Sequence, residues 1–258
     1  AEKKNKKHQP YKQTNYKTIK EVFIRSMKEY PKNTLILQKP NHKEPYREYT
    51  YEEFGKDVVA LGTKLIKMLP KNAKVVIVSE TTYGWYLSYM TMLCGAGIAV
   101  PVDKELPDNE LENVINRSKA TAVIYSAKKK DSVKKIENKI PTVKYFIEMD
   151  SDDYIVDKHM GINYLIKEGN EILETGDTSF MDIEIDPEEF KVLIFTSGTT
   201  SNSKGVMICN RNLAANINAV SAYVKLYPTD RLFSVLPLHH TYESTIGFLL
   251  PFACGSSV

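Results

Sequence analysis

The sequence predicts an α/β fold in which layers of parallel sheet carry helices on both faces. Short runs of β-prone, apolar residues recur along the chain and alternate with longer stretches of helical periodicity. Each short run is apolar at consecutive positions, which is typical of parallel strands covered on both sides. With 258 residues and 42% hydrophobic composition, the chain is also long enough to bury a substantial core.

The first part of the chain predicts two capped helices with a hairpin between them. Thr18-Ile-Lys-Glu21 has the form of a capping box, in which Thr starts a helix and Glu three residues later caps it in return. Pro31 ends this first helix, and a hairpin is predicted from strands at 35–38 and 47–49. Thr50-Tyr-Glu-Glu53 is a second capping box and opens a longer helix.

Alternating strands and helices follow this region. The predicted strands occupy 75–78, 98–102, 121–125, 143–147 and 192–195, and the predicted helices occupy 82–94, 109–119, 132–139 and 162–175. Beyond them we expect a strand at 206–209, a helix with Asn210 as its N-cap, a strand at 231–235 and a helix at 244–253. Sheets of this kind bind ligands beyond the carboxyl ends of their strands, so a ligand is expected after Phe195.

The segment from Phe195 to Val206 is the most informative part of the sequence. It reads Phe-Thr-Ser-Gly-Thr-Thr-Ser-Asn-Ser-Lys-Gly-Val. Its hydroxyls and backbone N–H groups suit phosphate oxygens, and Lys204 supplies a balancing charge. A Walker loop has glycine before its lysine and Ser or Thr after it, whereas Ser203 and Gly205 flank Lys204 here. The segment therefore predicts a phosphate-binding loop that joins two strands.

This loop resembles the phosphate loop of the adenylate-forming enzymes, the class of acyl-CoA synthetases, peptide-synthetase adenylation domains and firefly luciferase. Their pattern is Thr-Ser-Gly-Thr-Thr-Gly-x-Pro-Lys-Gly, and the stretch from Thr196 to Gly205 agrees at seven of the nine specified positions. Two further segments resemble the same class. The stretch 93–103 ends in Val-Pro-Val-Asp, and Leu-Pro-Leu-His-His-Thr-Tyr-Glu at 236–243 is typical of fatty acyl-CoA synthetases.

The resemblance implies ATP-dependent activation of a carboxylic acid, a fatty acid in particular, followed by transfer of the acyl group to coenzyme A. It implies that His240 orients the carboxylate or gates the acyl pocket, and that Glu243 fixes the loop carrying it. Lys204 and His240 are the implied catalytic residues, and Thr199 or Thr200 the implied contact of Mg²⁺. The implied nucleotide-binding residues are Thr196, Ser197, Gly198, Thr199, Thr200, Ser201, Lys204 and Gly205.

Two departures from the family pattern keep other functions open. Ser201 replaces a glycine, which reaches positive φ more cheaply, and Ser203 replaces a proline, which fixes φ. A non-catalytic module that binds nucleotide or acyl ligand is therefore one alternative. An adenylation enzyme that loads the thiol of a carrier protein is another.

Charge and composition narrow the range of partners. Residues 1–20 hold seven lysines and one glutamate, so the net charge of +3 arises from a basic N-terminal tail. We expect this tail to be solvated, with weak peripheral membrane contact as the sharper alternative. Neither an integral membrane segment nor a nucleic-acid surface is predicted. Without a secretory signal, a cytoplasmic protein is expected, with Cys94, Cys209 and Cys254 reduced and buried.

The resemblance also predicts the domain organisation. Residues 1–15 form the basic, disordered tail of this prediction, and residues 16–258 form the large N-terminal AMP-binding domain, incomplete at its carboxyl end. The adenine-binding and ribose-binding segments of the family and its small C-terminal domain are expected beyond residue 258. We therefore expect this chain to be inactive by itself.

Overall fold

The computed structural model describes residues 11, 14–39, 43–149, 151, 155–196 and 204–258. The helices are α1 (Ile19–Glu29), α2 (Tyr51–Met68), α3 (Tyr83–Thr91), α4 (Asp108–Ser118), α5 (Lys130–Ile136), α6 (Ile162–Glu174), α7 (Asn210–Ser221) and α8 (Leu250–Cys254). The strands are β1 (Thr34–Gln38), β2 (Arg47–Thr50), β3 (Lys74–Val78), β4 (Ile98–Pro101), β5 (Ala122–Tyr125), β6 (Tyr145–Glu148), β7 (Ile155–Val156), β8 (His159–Gly161), β9 (Phe190–Thr196) and β10 (Lys204–Cys209). A π-helical segment, Met92–Ala96, extends α3, and a second, Glu243–Leu249, leads into α8.

Eight strands form one central sheet in the order β10-β9-β4-β3-β5-β6-β8-β7. Its interior pairs, from β9 through to β8, are all parallel. The two outer pairs, β10 with β9 and β7 with β8, are antiparallel. The predicted parallel sheet is thus confirmed, with one antiparallel strand added at each edge. β1 and β2 form the predicted hairpin as a separate antiparallel pair.

Helices cover both faces of the sheet, as the sequence predicts. Val75 and Ile77 of β3 pack in one apolar core, with residues of α1, α2, α3, α6, α7 and α8. Val76 and Val78 pack in a second core, with residues of α4 and α5. Successive side chains of a strand point to opposite faces, so a fully apolar strand requires a core on each side.

The structure confirms one of two predicted helix N-caps and corrects the other. The capping box at Thr50 and Glu53 is confirmed: the Thr50 side chain accepts from the backbone of Glu53, and the Glu53 side chain accepts from the backbone of Thr50. Asn210 is not the N-cap of α7 as predicted, because Cys209 holds that position. The Asn210 carboxamide is buried instead and accepts a 2.9 Å hydrogen bond from the backbone N–H of Ile19.

The predicted strand at 231–235 is wrong. Arg231 makes a single bridge to Ser257, and no further ladder forms there among the described residues. Phe233 and Val235, the residues that suggested a strand, are 86% and 67% exposed. High β-propensity does not form a strand where no neighbouring strand supplies partners.

The cysteine prediction is confirmed in part. Cys94 is buried, whereas Cys209 and Cys254 are only partly buried, and all three are free thiols. The predicted basic tail lies mostly outside the described residues, although Tyr11 within it donates its backbone N–H to the carbonyl of Ala222. Among the described helices, none combines the length and the hydropathy that crossing a bilayer requires.

Candidate functional site

The carboxyl ends of β4 and β9 bring two of the three diagnostic segments side by side. The two strands are parallel neighbours, with Ala99 of β4 opposite Val192 of β9. Asp103 and Thr196 each lie four residues beyond this pair. Because neighbouring strands run about 4.8 Å apart, the register carries both residues to the same edge of the sheet. The segment that ends in Asp103 therefore reaches the edge where the predicted phosphate loop begins.

The ends of the phosphate loop are held together by strand pairing. Thr196, the last residue of β9, is opposite Lys204, the first residue of β10. The Thr196 hydroxyl also donates to the Lys204 carbonyl at 3.5 Å. The loop therefore leaves and re-enters the sheet at one point. The predicted residues Ser197, Gly198, Thr199, Thr200 and Ser201 lie outside the described residues.

Lys204 and Gly205 provide the described part of the predicted nucleotide site. Both residues are exposed. Within the described ranges, the Lys204 ammonium has no ion-pair partner, so its charge remains available for an anion. A Cβ at Gly205 would lie 3.1 Å from Leu193 Cδ1, so glycine lets β10 pack closely on β9 at this position. This exposed cation beside a loop end fits a phosphate group.

The described residues form no metal centre at this edge of the sheet. In the part of the chain that the structure describes, no group of three or more His, Cys, Asp or Glu residues is arranged to hold a metal ion. The predicted Mg²⁺ contacts, Thr199 and Thr200, lie in the undescribed part of the loop. Their role remains a prediction.

The third diagnostic segment forms a turn that leads into the π-helical segment Glu243–Leu249. The backbone N–H of His240 donates to the Pro237 carbonyl at 3.0 Å. The His240 carbonyl in turn accepts from the backbone N–H of Ser244, also at 3.0 Å. These bonds fix the backbone of His240 while leaving its side chain exposed. The imidazole can therefore meet a ligand.

Glu243 lies inside the protein. Its side chain is nearly buried, and its Oε1 accepts a 2.6 Å hydrogen bond from the hydroxyl of Ser234. A Cβ at Gly247 would come within 2.5 Å of the Glu243 carboxyl carbon, so glycine is needed to admit this carboxylate. Burial raises the pKa of nearby Tyr86 to about 12, and the charge of Glu243 adds to the shift. Glu243 therefore ties the loop before it to the helix behind it.

Sequence reasoning missed the contact that joins the third segment to β4. His239 Nε2 lies 3.8 Å from Asp103 Oδ2, and the His239 ring centre is 4.2 Å from that of His240. Burial lowers the pKa of His239, the nearby Asp103 carboxylate raises it, and His240 lowers it, with a net lowering. His239 occupies an unspecified position of the family motif, so the sequence carried no signal for it beyond the histidine pair itself.

A large cavity among the described residues lies elsewhere. It has a volume of about 860 Å³ and opens beyond the carboxyl ends of β3 and β5, with Arg47, Tyr49, Asp57, Tyr83 and Lys128 among its lining residues. Of the predicted site residues that the structure describes, none lines it.

The fold is the α/β architecture of the N-terminal domain of adenylate-forming enzymes. The chain belongs to the AMP-binding enzyme family, whose model matches residues 23–258. It is 28% identical over 257 residues to long-chain-fatty-acid–CoA ligase 5 of Rattus norvegicus, covering 94% of this chain and 37% of the relative. It is 22% identical over 255 residues to the chloroplastic long-chain-fatty-acid–[acyl-carrier-protein] ligase AEE15 of Arabidopsis thaliana, covering 94% and 35%.

A solved structure gives the same fold. The long-chain-fatty-acid-CoA ligase of Archaeoglobus fulgidus matches with a TM-score of 0.82 and 20% identity, over 98% of this chain and 49% of that chain. The present chain thus spans about a third of the length of these curated relatives and about half of that structure.

Proposed function

We propose that the complete gene product activates a carboxylic acid, specifically a fatty acid, with ATP and then transfers the acyl group to coenzyme A. The observation that carries this proposal is the meeting of three segments at one sheet edge. Asp103 follows β4, the ends of the phosphate loop follow β9 and precede β10, and His239 contacts Asp103. Such an edge is where α/β sheets bind ligands.

The first half-reaction joins two anions and therefore depends on charge balance and positioning. The carboxylate oxygen of the acid attacks the α-phosphate of ATP, and pyrophosphate leaves with the electrons of the broken bond. Lys204 and the hydroxyls and N–H groups of 196–200 hold the β- and γ-phosphates. Thr196 and Lys204, paired across the strands, fix both ends of that loop. A carboxylate nucleophile needs no general base.

The acid is held by the third segment. The exposed His240 imidazole orients the carboxylate or gates the acyl pocket, and the buried Glu243 keeps its loop in place. A magnesium ion, supplied with ATP, would neutralise phosphate charge and meet Thr199 or Thr200. The acceptor is the thiol of coenzyme A, since the Leu-Pro-Leu-His-His-x-x-Glu segment is of the fatty acyl-CoA type. The likeness to an acyl-carrier-protein ligase keeps a carrier-protein thiol as the second candidate.

Acid-dependent exchange of pyrophosphate into ATP tests the proposal in the complete gene product. We expect exchange that requires a fatty acid and falls by at least about 100-fold in Lys204→Ala, the scale typical of a lost transition-state contact. Lys28→Ala removes another exposed lysine, in α1, and serves as the matched control with unchanged exchange. A folded protein that binds ATP without acid-dependent exchange would support the non-catalytic binding module instead.

A further inference from the structure

We propose that the uncharged His239 ring positions His240 at the acid-binding edge, and that protonation of His239 separates the two rings by drawing His239 to Asp103. This inference rests on the proposed function for what His240 binds. The contact between Asp103, His239 and His240 is itself independent of that function.

The Asp103 carboxylate is held with one of its oxygens facing His239. Its Oδ1 accepts a 2.9 Å hydrogen bond from the backbone N–H of Glu105, which closes a local turn after β4. Its Oδ2 is the oxygen that lies 3.8 Å from His239 Nε2. One oxygen is therefore held by the backbone, and the other is directed at the imidazole.

The gap of 3.8 Å is too long for a hydrogen bond but short enough for attraction between charges. While His239 is neutral, the gap stays open and the ring rests on His240, with ring centres 4.2 Å apart and planes tilted by 40°. A proton on His239 makes an ion pair with Asp103 and closes the gap.

His239 is the more buried ring of the pair. Its side chain is 15% exposed, whereas the side chain of Asp103 is 41% exposed and His240 is exposed. The charged groups acting on His239 are Asp103, from the turn after β4, and His240, from its own loop. Lys104 and Glu105 follow Asp103 in the chain and form a 3.4 Å ion pair with each other.

The sign of the pH dependence follows from these neighbours. Burial and His240 together hold the pKa of His239 below its usual value, so the ring is neutral near pH 7. Asp103 opposes that lowering, so its removal lowers the pKa of His239 further. The positioning of His240 should therefore be lost at a pH below 7. In Asp103→Asn it should be lost at a still lower pH.

Nuclear magnetic resonance of the histidine side chains tests the ring pair in this chain without any substrate. We expect protonation of His239 to shift the His240 ring resonances in the same transition. In Asp103→Asn that transition moves to lower pH by at least half a pH unit, whereas the exposed Asp131→Asn of α5 leaves it unchanged. A His239 titration that Asp103→Asn leaves unaltered overturns the proposal, as does one that leaves the His240 signals unmoved.

Kinetics of the complete gene product test the positioning role. His239→Ala should raise the KM for the acid at least threefold at pH 7.5 and change kcat less. His239→Phe keeps a ring but cannot be protonated, so it should retain a near-normal KM and lose the acid-side rise of KM. An acid-side rise that persists in His239→Phe contradicts the proposal. Absence of acid-dependent exchange in the unmodified protein would sink the proposed function, and the resonance titration would still decide the ring pair.

Discussion

Glu243 accepts a 2.6 Å hydrogen bond from the Ser234 hydroxyl, and this contact closes the loop that carries His239 and His240. The carboxylate is 5% exposed and packs where a Cβ on Gly247 would intrude. A buried carboxylate needs such partners, because leaving it unpaired is costly. The loop is thus anchored to the protein interior at its carboxyl end, although Val235 within it is exposed.

Two substitutions of Glu243 should distinguish the contribution of its hydrogen bond to stability from the contribution of its volume. Glu243→Gln keeps the shape and an acceptor for Ser234, so we expect a loss of unfolding free energy below about 1 kcal/mol. Glu243→Ala removes the carboxylate that accepts from the Ser234 hydroxyl and opens a cavity, with an expected loss of about 2–3 kcal/mol. Urea unfolding of this chain measures both. Equal losses for the two variants would contradict the anchoring role.

The packing of α6 against α2 depends on a glycine. A Cβ at Gly169 would lie 1.9 Å from the backbone oxygen of Ala60, so Gly169→Ala forces the two helices apart. We expect a loss of about 1–3 kcal/mol, although alanine is the better helix former. The adjacent Asn170→Ala, on the exposed side of α6, is the matched control and should be neutral or slightly stabilising. Stabilisation by Gly169→Ala in thermal unfolding would refute the close approach.

The three thiols should differ in reactivity. Cys94 is fully buried, and burial raises its pKa to about 12, so the thiolate is scarce at pH 8. Cys209, at the end of β10, is partly exposed. Alkylation of the folded chain followed by peptide mass spectrometry should modify Cys209 at least tenfold faster than Cys94. Addition of urea should abolish the difference, and comparable rates in the folded chain would contradict the burial of Cys94.

The carboxyl group of Asp57 should make the stability of the protein depend on pH. Burial raises the pKa of its carboxyl, while the hydrogen bond from the Tyr83 hydroxyl, 2.7 Å long, opposes that shift. Because the carboxyl pKa is raised in the folded state, ionisation of Asp57 destabilises the folded protein. This destabilisation is fully present above the folded-state pKa, and it disappears as the pH falls below the unfolded-state pKa. Asp57→Asn should therefore raise Tm at pH 7, and the gain should shrink towards pH 3.5. Calorimetry at the two pH values checks this, and a lower Tm at pH 7 would contradict it.

Local signals in the sequence predicted the elements well, and non-local contacts account for what was missed. The capping box at Thr50 and the apolar run of β3 are each decided within a few residues. Asn210 leaves the N-cap position because its carboxamide bonds Ile19, 191 residues away. Residues 231–235 lack the partner strand that β-propensity alone does not supply.

The candidate site likewise contains residues that the sequence could identify and residues that it could not. Lys204 and His240 could be selected from their motifs, since those motifs are contiguous in the sequence. The contact between Asp103 and His239 could not, because it depends on where β4 ends and how the loop at 236–240 returns to that edge. Strand register and loop path are properties of the whole fold.

Protection from hydrogen exchange, measured on the complete gene product with a stable acyl-adenylate analogue, shows whether the three segments form one ligand site. We expect slowed exchange in peptides covering 99–105, 193–207 and 236–244 together, because these segments meet at the ends of β4 and β9. Peptides covering 47–57 and 126–130, which line the large cavity beyond β3 and β5, should be unaffected. Protection confined to the cavity peptides would place the ligand there and contradict the account.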